Sequence, residues 1–236
     1  NTLYFSTIGS GLFAYDKVSE EITRIKSSED DKSKFLLNLY IDRFGNLWAG
    51  TESNGIYILS LSELTEKAGN AFHLTKELGL SSNNITDIEF FDDQLWISTR
   101  KGLTVISAKT AQSLATNGAR PFDAVYFDEE LILGTNRTSC LQKDASGNLW
   151  IGTADVGVIK CVISEGEYAF RNYGVQQGLS FYNVKALFLD REKSIWIGTD
   201  VGINQYLSDY FLLYNESLGI TNNIIWSVTP DDEGNI

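Results

Sequence analysis

The chain has 236 residues, 43% of them apolar, and its 19 basic side chains against 31 acidic ones give a net charge of −12. This length builds one large or two small domains around a self-sufficient core, and the negative charge makes a phosphate backbone or an anionic bilayer a poor partner. His73 is the sole histidine and Cys140 and Cys161 the only cysteines, which removes His-based triads, His-rich metal sites and a disulfide scaffold. No apolar run nears the roughly 18 residues of a membrane span. Without a Met or a charged-then-apolar leader, the chain reads as a processed product or a piece of something longer.

Taken in chain order, the elements repeat. Leu3–Thr7 reads as a strand and Gly11-Leu12-Phe13 starts another. Phe35–Ile41 alternates, the turn Asp42-Arg43-Phe44-Gly45-Asn46 follows, and Leu47-Trp48-Ala49-Gly50-Thr51 leads to a strand starting at Gly55-Ile56-Tyr57. Ser62–Lys67 fits one helical turn before a weak strand at Ala71–Leu74. The same order returns as Ile85–Phe91, the short turn Asp92-Asp93-Gln94, Leu95–Thr99, Gly102-Leu103-Thr104 and Val125–Leu133. It returns again as Thr138–Lys143, Asp144-Ala145-Ser146-Gly147-Asn148, Leu149–Thr153, Gly157-Val158-Ile159 and Ala169–Tyr173. The last copy holds Val184–Leu189, Ile195–Thr199 and Gly202-Ile203-Asn204, and Ile224–Thr229 then opens a further copy. Asp opens such turns by hydrogen-bonding their backbone, and Gly or Asn accepts the positive φ they need.

Successive Trp residues stand 48, 54 and 46 positions apart, from Trp48 through Trp96 and Trp150 to Trp196. Four strands per forty-odd residues without a sustained 3.6-residue stripe predict an all-β fold: a β-propeller of about five four-stranded antiparallel blades. The repeat units run approximately 1–33, 34–83, 84–136, 137–182 and 183–222 within a single propeller region 1–236, with 223–236 an orphan inner strand A. A closed five-bladed ring and a slice of a larger propeller both fit. The Gly of Trp-x-Gly-Thr is expected to admit close backbone approach and the Trp to fill the wedge between blades.

The string Asp-x-x-Gly-Asn-Leu-Trp-Ile-Gly-Thr-x-x-x-Gly-Leu, best matched at Asp144–Val158, resembles the two-component regulator propeller repeat. So do Gly79-Leu80-Ser81-Ser82-Asn83-Asn84, Gly178-Leu179-Ser180-Phe181-Tyr182-Asn183 and Gly219-Ile220-Thr221-Asn222-Asn223, and the likeness runs from Leu3 to Ile236. Departures are Ser98 for Gly, Lys193-Ser194 for Gly-Asn, the short turn at Asp92, and a degenerate unit around Gly134-Thr135-Asn136. The resemblance implies the periplasmic sensor region of an inner-membrane hybrid histidine kinase of the Bacteroides type, reporting a glycan fragment. The kinase itself is absent from this chain, which is expected to be no enzyme and to use no cofactor.

A ligand is expected at the channel mouth built by the loops joining strand D to the next strand A and strand B to strand C. The D–A loops end in Lys34, Asn84, Arg137, Asn183 and Asn223, preceded by Asn83, Tyr182 and Asn222. The B–C loops add Glu52, Asn54, Arg100, Lys101, Asp155 and Asp200. Amides pair with sugar hydroxyls and an aromatic ring stacks on the C–H face. Arg100 and Lys101 beside Arg137 would make a basic spot for a uronate or sulfate. Seven of these residues form the candidate site: Asn84, Arg100, Lys101, Arg137, Tyr182, Asn183 and Asn223. The bland reading is equally concrete, because Asn before a strand is an ordinary turn residue. The partner is then an oligosaccharide or other small polar ligand, alongside a homodimer, with no nucleic acid and no direct membrane contact. Two alternatives stay open: a non-binding structural or dimerising propeller, and a carbohydrate-active propeller enzyme.

No catalytic or metal set emerges. Glu29-Asp30-Asp31, Asp92-Asp93, Glu129-Glu130 and Asp231-Asp232-Glu233 read as solvated turns, and the Arg residues are too scattered for a sialidase site. Cys140 on a strand A and Cys161 on a strand C stand two strand spacings apart, roughly 9–10 Å, too far for a disulfide. His73 reads as an edge histidine, and no Gly-rich phosphate loop opens a helix.

Overall fold

The computed structural model of the chain describes residues 2–25, 36–62, 71–128, 134–135, 137–207 and 210–229. Lys34, Asn136, the acidic pairs at 29–31, 129–130 and 231–233, and most of the helical turn expected at 62–67 lie outside them. The chain divides into two compact units, Asn1–Tyr126 and Phe127–Ile236.

The first unit opens with a three-stranded sheet, β1 (Thr2–Thr7), β2 (Gly11–Asp16) and β3 (Ile22–Ile25). Among the described residues this sheet has no fourth strand. A four-stranded sheet follows, made of β4 (Leu36–Ile41), β5 (Asn46–Thr51), β6 (Ile56–Ser60) and β7 (Phe72–Leu74). Next come β8 (Ile85–Phe91), β9 (Gln94–Thr99), β10 (Gly102–Ser107) and β11 (Val125–Phe127). The second unit holds β12 (Thr138–Lys143), β13 (Asn148–Thr153), β14 (Val158–Ser164) and β15 (Glu167–Tyr173). Its other sheet is β16 (Val184–Leu189), β17 (Ile195–Thr199), β18 (Gly202–Leu207) and β19 (Tyr210–Tyr214). Every sheet is an antiparallel meander of neighbours in sequence. B–C and D–A loops therefore share one end of each sheet, and A–B turns the other.

The turn chemistry is visible atom by atom. Asp42 Oδ1 accepts from the backbone N–H of Phe44 and Asn46, and its Oδ2 accepts from Trp48 Nε1 at 2.9 Å. Asp144 repeats this with Ser146, Asn148 and Trp150, and Asp190 takes Ser194 N and Trp196 Nε1. The Asp thus ties its turn to the Trp six residues on. Burial alone would raise the Asp144 carboxyl; hydrogen bonds from Asn148, Trp150 and Ser146 outweigh it and hold the pKa below the usual value. Where the turn is shortened, Asp92 and Asp93 take positive φ of 48° and 57°, the two-residue hairpin geometry.

Sheets within a unit pack face to face. Trp48, Trp96 and Trp150 are wholly buried. Trp48 joins Ile56, Leu74, Ile85, Leu95 and Ile97 between the second and third sheets, and Trp150 joins Val158, Tyr173, Val184 and Ile197 between the last two. Each such side chain contributes about 1.5–3 kcal/mol through burial. A Cβ on Gly50 would sit 2.7 Å from Ile85 Cγ2, and one on Gly152 would sit 2.9 Å from Val184 Cγ1. These glycines therefore let the first residue of the next strand A lie against the sheet.

Two expectations change. A ten-residue helix, α1 (Ala108–Asn117), joins β10 to β11, where no helical stripe was expected. Ser107 caps it by accepting from Thr110 N, and Ala111, Leu114 and Ala115 bury one face. Its apolar face is mostly alanine, so hydropathy barely marks it. Ile224–Thr229 is not a strand. Each strand A pairs with the strand B after it, and the residues past Thr229 lie outside those described. The segment still docks: Ile225 N donates to Thr199 O at 3.0 Å, and Ile225 covers Gly198 as Ile85 covers Gly50.

Candidate functional site

Three of the D–A loops share one construction. Short 3-10 turns at Lys76–Leu78, Val175–Gln177 and Glu216–Leu218 each end at a positive-φ glycine, Gly79, Gly178 or Gly219. The chain then docks on the following sheet, where Ser81 N donates to Thr104 Oγ1 and Ser180 N to Asn204 Oδ1, both at 2.9 Å. Main-chain bonds join the loop to the preceding B–C hairpin: Gly55 N donates to Asn83 O and Gly157 N to Tyr182 O.

In the first unit Asn84, Arg100 and Lys101 come together at this end. Arg100 N donates to Asn84 O at 3.2 Å, Lys101 N donates to Thr99 Oγ1, and both cationic side chains are exposed. The Asn84 side-chain oxygen is buried with no hydrogen-bond partner among the described residues.

In the second unit Arg137 is exposed, and its backbone N–H and C=O serve Thr135 Oγ1 and Ala154 N. Tyr182 is 46% exposed and stacks on Phe181 with centroids 4.2 Å apart. It borders a groove of about 380 Å³ shared with Asp155, Asn172 and Gln177. Asn183 Nδ2 donates to Asp200 Oδ2 at 2.7 Å, and Asp200 Oδ1 pairs with Lys185 Nζ at 3.5 Å. That ammonium lies 5.1 Å from the centroid of Trp226, whose side chain is 75% exposed. Lys185 and Trp226 were not singled out from sequence. Trp226 does differ there from the four blade tryptophans, since neither x-Gly-Thr nor x-Ser-Thr follows it.

Asn223 needs a correction of register. Ile225, two residues on, takes the place of Ile85 over a seam glycine, so Asn223 matches Asn83 and Tyr182, while Ile224 fills the column of Asn84 and Asn183. Its Oδ1 accepts from Glu216 N at 2.8 Å, as Asn83 Oδ1 accepts from Lys76 N. Both asparagines hold the start of a 3-10 turn. The alternation of 224–229 suggested that the strand begins one residue earlier than it docks.

Cys140 and Cys161 are free thiols, and burial pushes Cys161 up to about 12. His73, on the outer strand β7, is half-buried and stacks on Tyr57 at 4.5 Å. Among the described residues no three His, Cys, Asp or Glu side chains gather to hold a metal ion, and no helix is long and apolar enough to cross a membrane.

The family model described as "Two component regulator propeller" matches residues 132–155 and 178–201. Histidine kinase P4 from Formosa agariphila is 25% identical over 161 residues, which are 66% of this chain and 11% of that protein. The extracellular domain of a protein described as hybrid two component system BT3049, from B. thetaiotaomicron, superposes with a TM-score of 0.82 at 20% identity, covering 99% of this chain and 30% of that one. Virginiamycin B lyase from Staphylococcus aureus gives 0.61 at 12% identity, covering 88% of this chain and 63% of that one. The chain thus spans less than two thirds of the length of each. Its sheets are propeller blades, and it carries two-component regulator propeller repeats.

Proposed function

We propose that this chain, with its two-component regulator propeller repeats, is a periplasmic sensor segment of a hybrid two-component histidine kinase, and that it recognises a glycan fragment. The observation that carries the reading is the loop end of the second unit. There the exposed rings of Tyr182 and Trp226 accompany the amide, carboxylate and ammonium of Asn183, Asp200 and Lys185. An oligosaccharide needs both parts: flat apolar faces for its C–H surfaces, and paired donors and acceptors for its hydroxyls. Binding would signal by favouring one of two arrangements of the parent sensor, a coupling free energy between this site and the kinase. The fold shared with extracellular domains of two-component systems supports placement outside the cytoplasm.

The test is a thermal-melt screen of the chain against plant and host oligosaccharides. A ligand at 100 times its Kd stabilises by about 2.7 kcal/mol, and at roughly 2–4 °C per kcal/mol for this size the midpoint rises about 5–10 °C. A shift lost in Tyr182→Ala and in Trp226→Ala supports the reading. A panel without a shift transfers the function to a structural or dimerising role.

A further inference from the structure

At the turn end of the second unit, away from the loops just described, lies a cavity of about 420 Å³. Its walls come from two sheets: Ser146 on the turn between β12 and β13, Lys160 on β14, Lys193 and Ser194 between β16 and β17, and Tyr206 on β18. In a chain of net charge −12, two lysines lining one cavity stand out.

Lys160 is held in place from behind. Its Nζ lies 5.3 Å from the Trp150 ring centroid and 5.8 Å from that of Tyr206, and the two rings meet edge-on at 4.7 Å. The rings attract the ammonium electrostatically and fix it at the cavity wall. Lys193 stands on the rim at a positive φ of 69°, where the other turns have Gly45 and Gly147. A lysine in that conformation projects a charge where its repeat neighbours project nothing.

One carboxylate, Asp144, also borders the cavity. Its oxygens are taken by the N–H groups of Ser146, Asn148 and Trp150 and by the Asn148 amide, so it offers little to a cationic guest. The other polar groups on the wall are the side chains of Lys160, Lys193, Ser146 and Ser194, beside the half-buried Tyr206 ring, which also packs on Trp150 and Tyr173. The volume falls in the range of small-molecule sites.

We infer that this cavity binds a small organic anion: a carboxylate or sulfate group, held by Lys160 and Lys193, on a sugar-sized body that meets Ser146, Ser194 and the Tyr206 ring. The site is separate from the loop-end platform, and its test does not depend on that reading.

The experiment is isothermal titration calorimetry of the 236-residue chain with glucuronate, glucose 6-sulfate, glucose and inorganic sulfate at low ionic strength. The expected result is binding of the two anionic sugars, weakened by added salt, with no heat from glucose. Lys193→Gln, on an exposed turn, should weaken binding about tenfold, as should Lys160→Gln. Should Lys160→Gln loosen the packing over Trp150, Lys193→Gln still decides. Equal binding of glucose, inorganic sulfate binding without the sugars, no heat from either anionic sugar, or affinity unchanged in Lys193→Gln each overturns the inference.

Discussion

Adding one methyl group at Gly152 tests the seam between blades. Its Cβ would fall 2.9 Å from both Ser139 Oγ and Val184 Cγ1, and against Cys140 Sγ. Ordinary carbon contacts lie at roughly 3.5–4.0 Å, so several neighbours must each move by more than half an ångström in a close-packed interior. Overpacking costs about 1–3 kcal/mol, and with three overlaps at once Gly152→Ala should fall in the upper half, about 2–3 kcal/mol. At roughly 2–4 °C per kcal/mol the midpoint falls about 4–12 °C. Cys140→Ala removes the nearest obstacle, so the double variant should recover about 1 kcal/mol relative to additivity. Gly147→Ala is the control: φ there is +78° with nothing within 4 Å, so it carries only the left-handed backbone cost of about 1–2 kcal/mol. Urea denaturation followed by tryptophan fluorescence measures all four. Gly152→Ala within about 0.5 kcal/mol of the parent, or strict additivity with Cys140→Ala, refutes the packing argument.

Asp144→Ala leaves Trp150 Nε1 and the Asn148 amide without their acceptor and should cost about 1–3 kcal/mol in urea denaturation. Because the folded-state pKa of Asp144 is lowered, its contribution is fully present above the unfolded value near 4 and is lost as pH falls through the lower folded value; the difference between parent and Asp144→Asn stability should shrink over that acidic window. Asn223→Ala should cost about 1 kcal/mol by freeing Glu216 N, whether or not a glycan is present. Ser107→Ala should cost about 1 kcal/mol through loss of the α1 cap. Ellman's reagent at pH 8 should titrate no more than one thiol in the folded chain and two in denaturant, since burial holds Cys161 protonated.

Strands, turns and seam glycines were legible because each repeats, and each repeat serves a local purpose: Asp144 closes its own turn, and Gly152 clears its own neighbour. Features present once were harder to read. Helix α1 has no counterpart among the described residues of the other copies, and an alanine-rich face carries little hydropathy signal. The docking register of Ile225 was misjudged by one because alternation alone cannot say which of two adjacent isoleucines meets Gly198. Among site residues, Arg137 and Tyr182 stood out as departures from the asparagine pattern. Lys185 and Trp226 meet across 41 positions of chain, a pairing that only the folded backbone creates.

The bonds from Gly55 to the carbonyl of Asn83 and from Gly157 to that of Tyr182 use backbone atoms at both ends. The slot they define asks only for a peptide oxygen in the right place, and an amide and a phenol fill it equally well. Mutation can therefore sample this position blade by blade without unpicking the stitch that holds the hairpin to the loop. Relatives only 12–25% identical can share such a frame while presenting different side chains at the same opening. In a repeat built this way, chemical novelty at the surface and mechanical continuity beneath it are inherited separately.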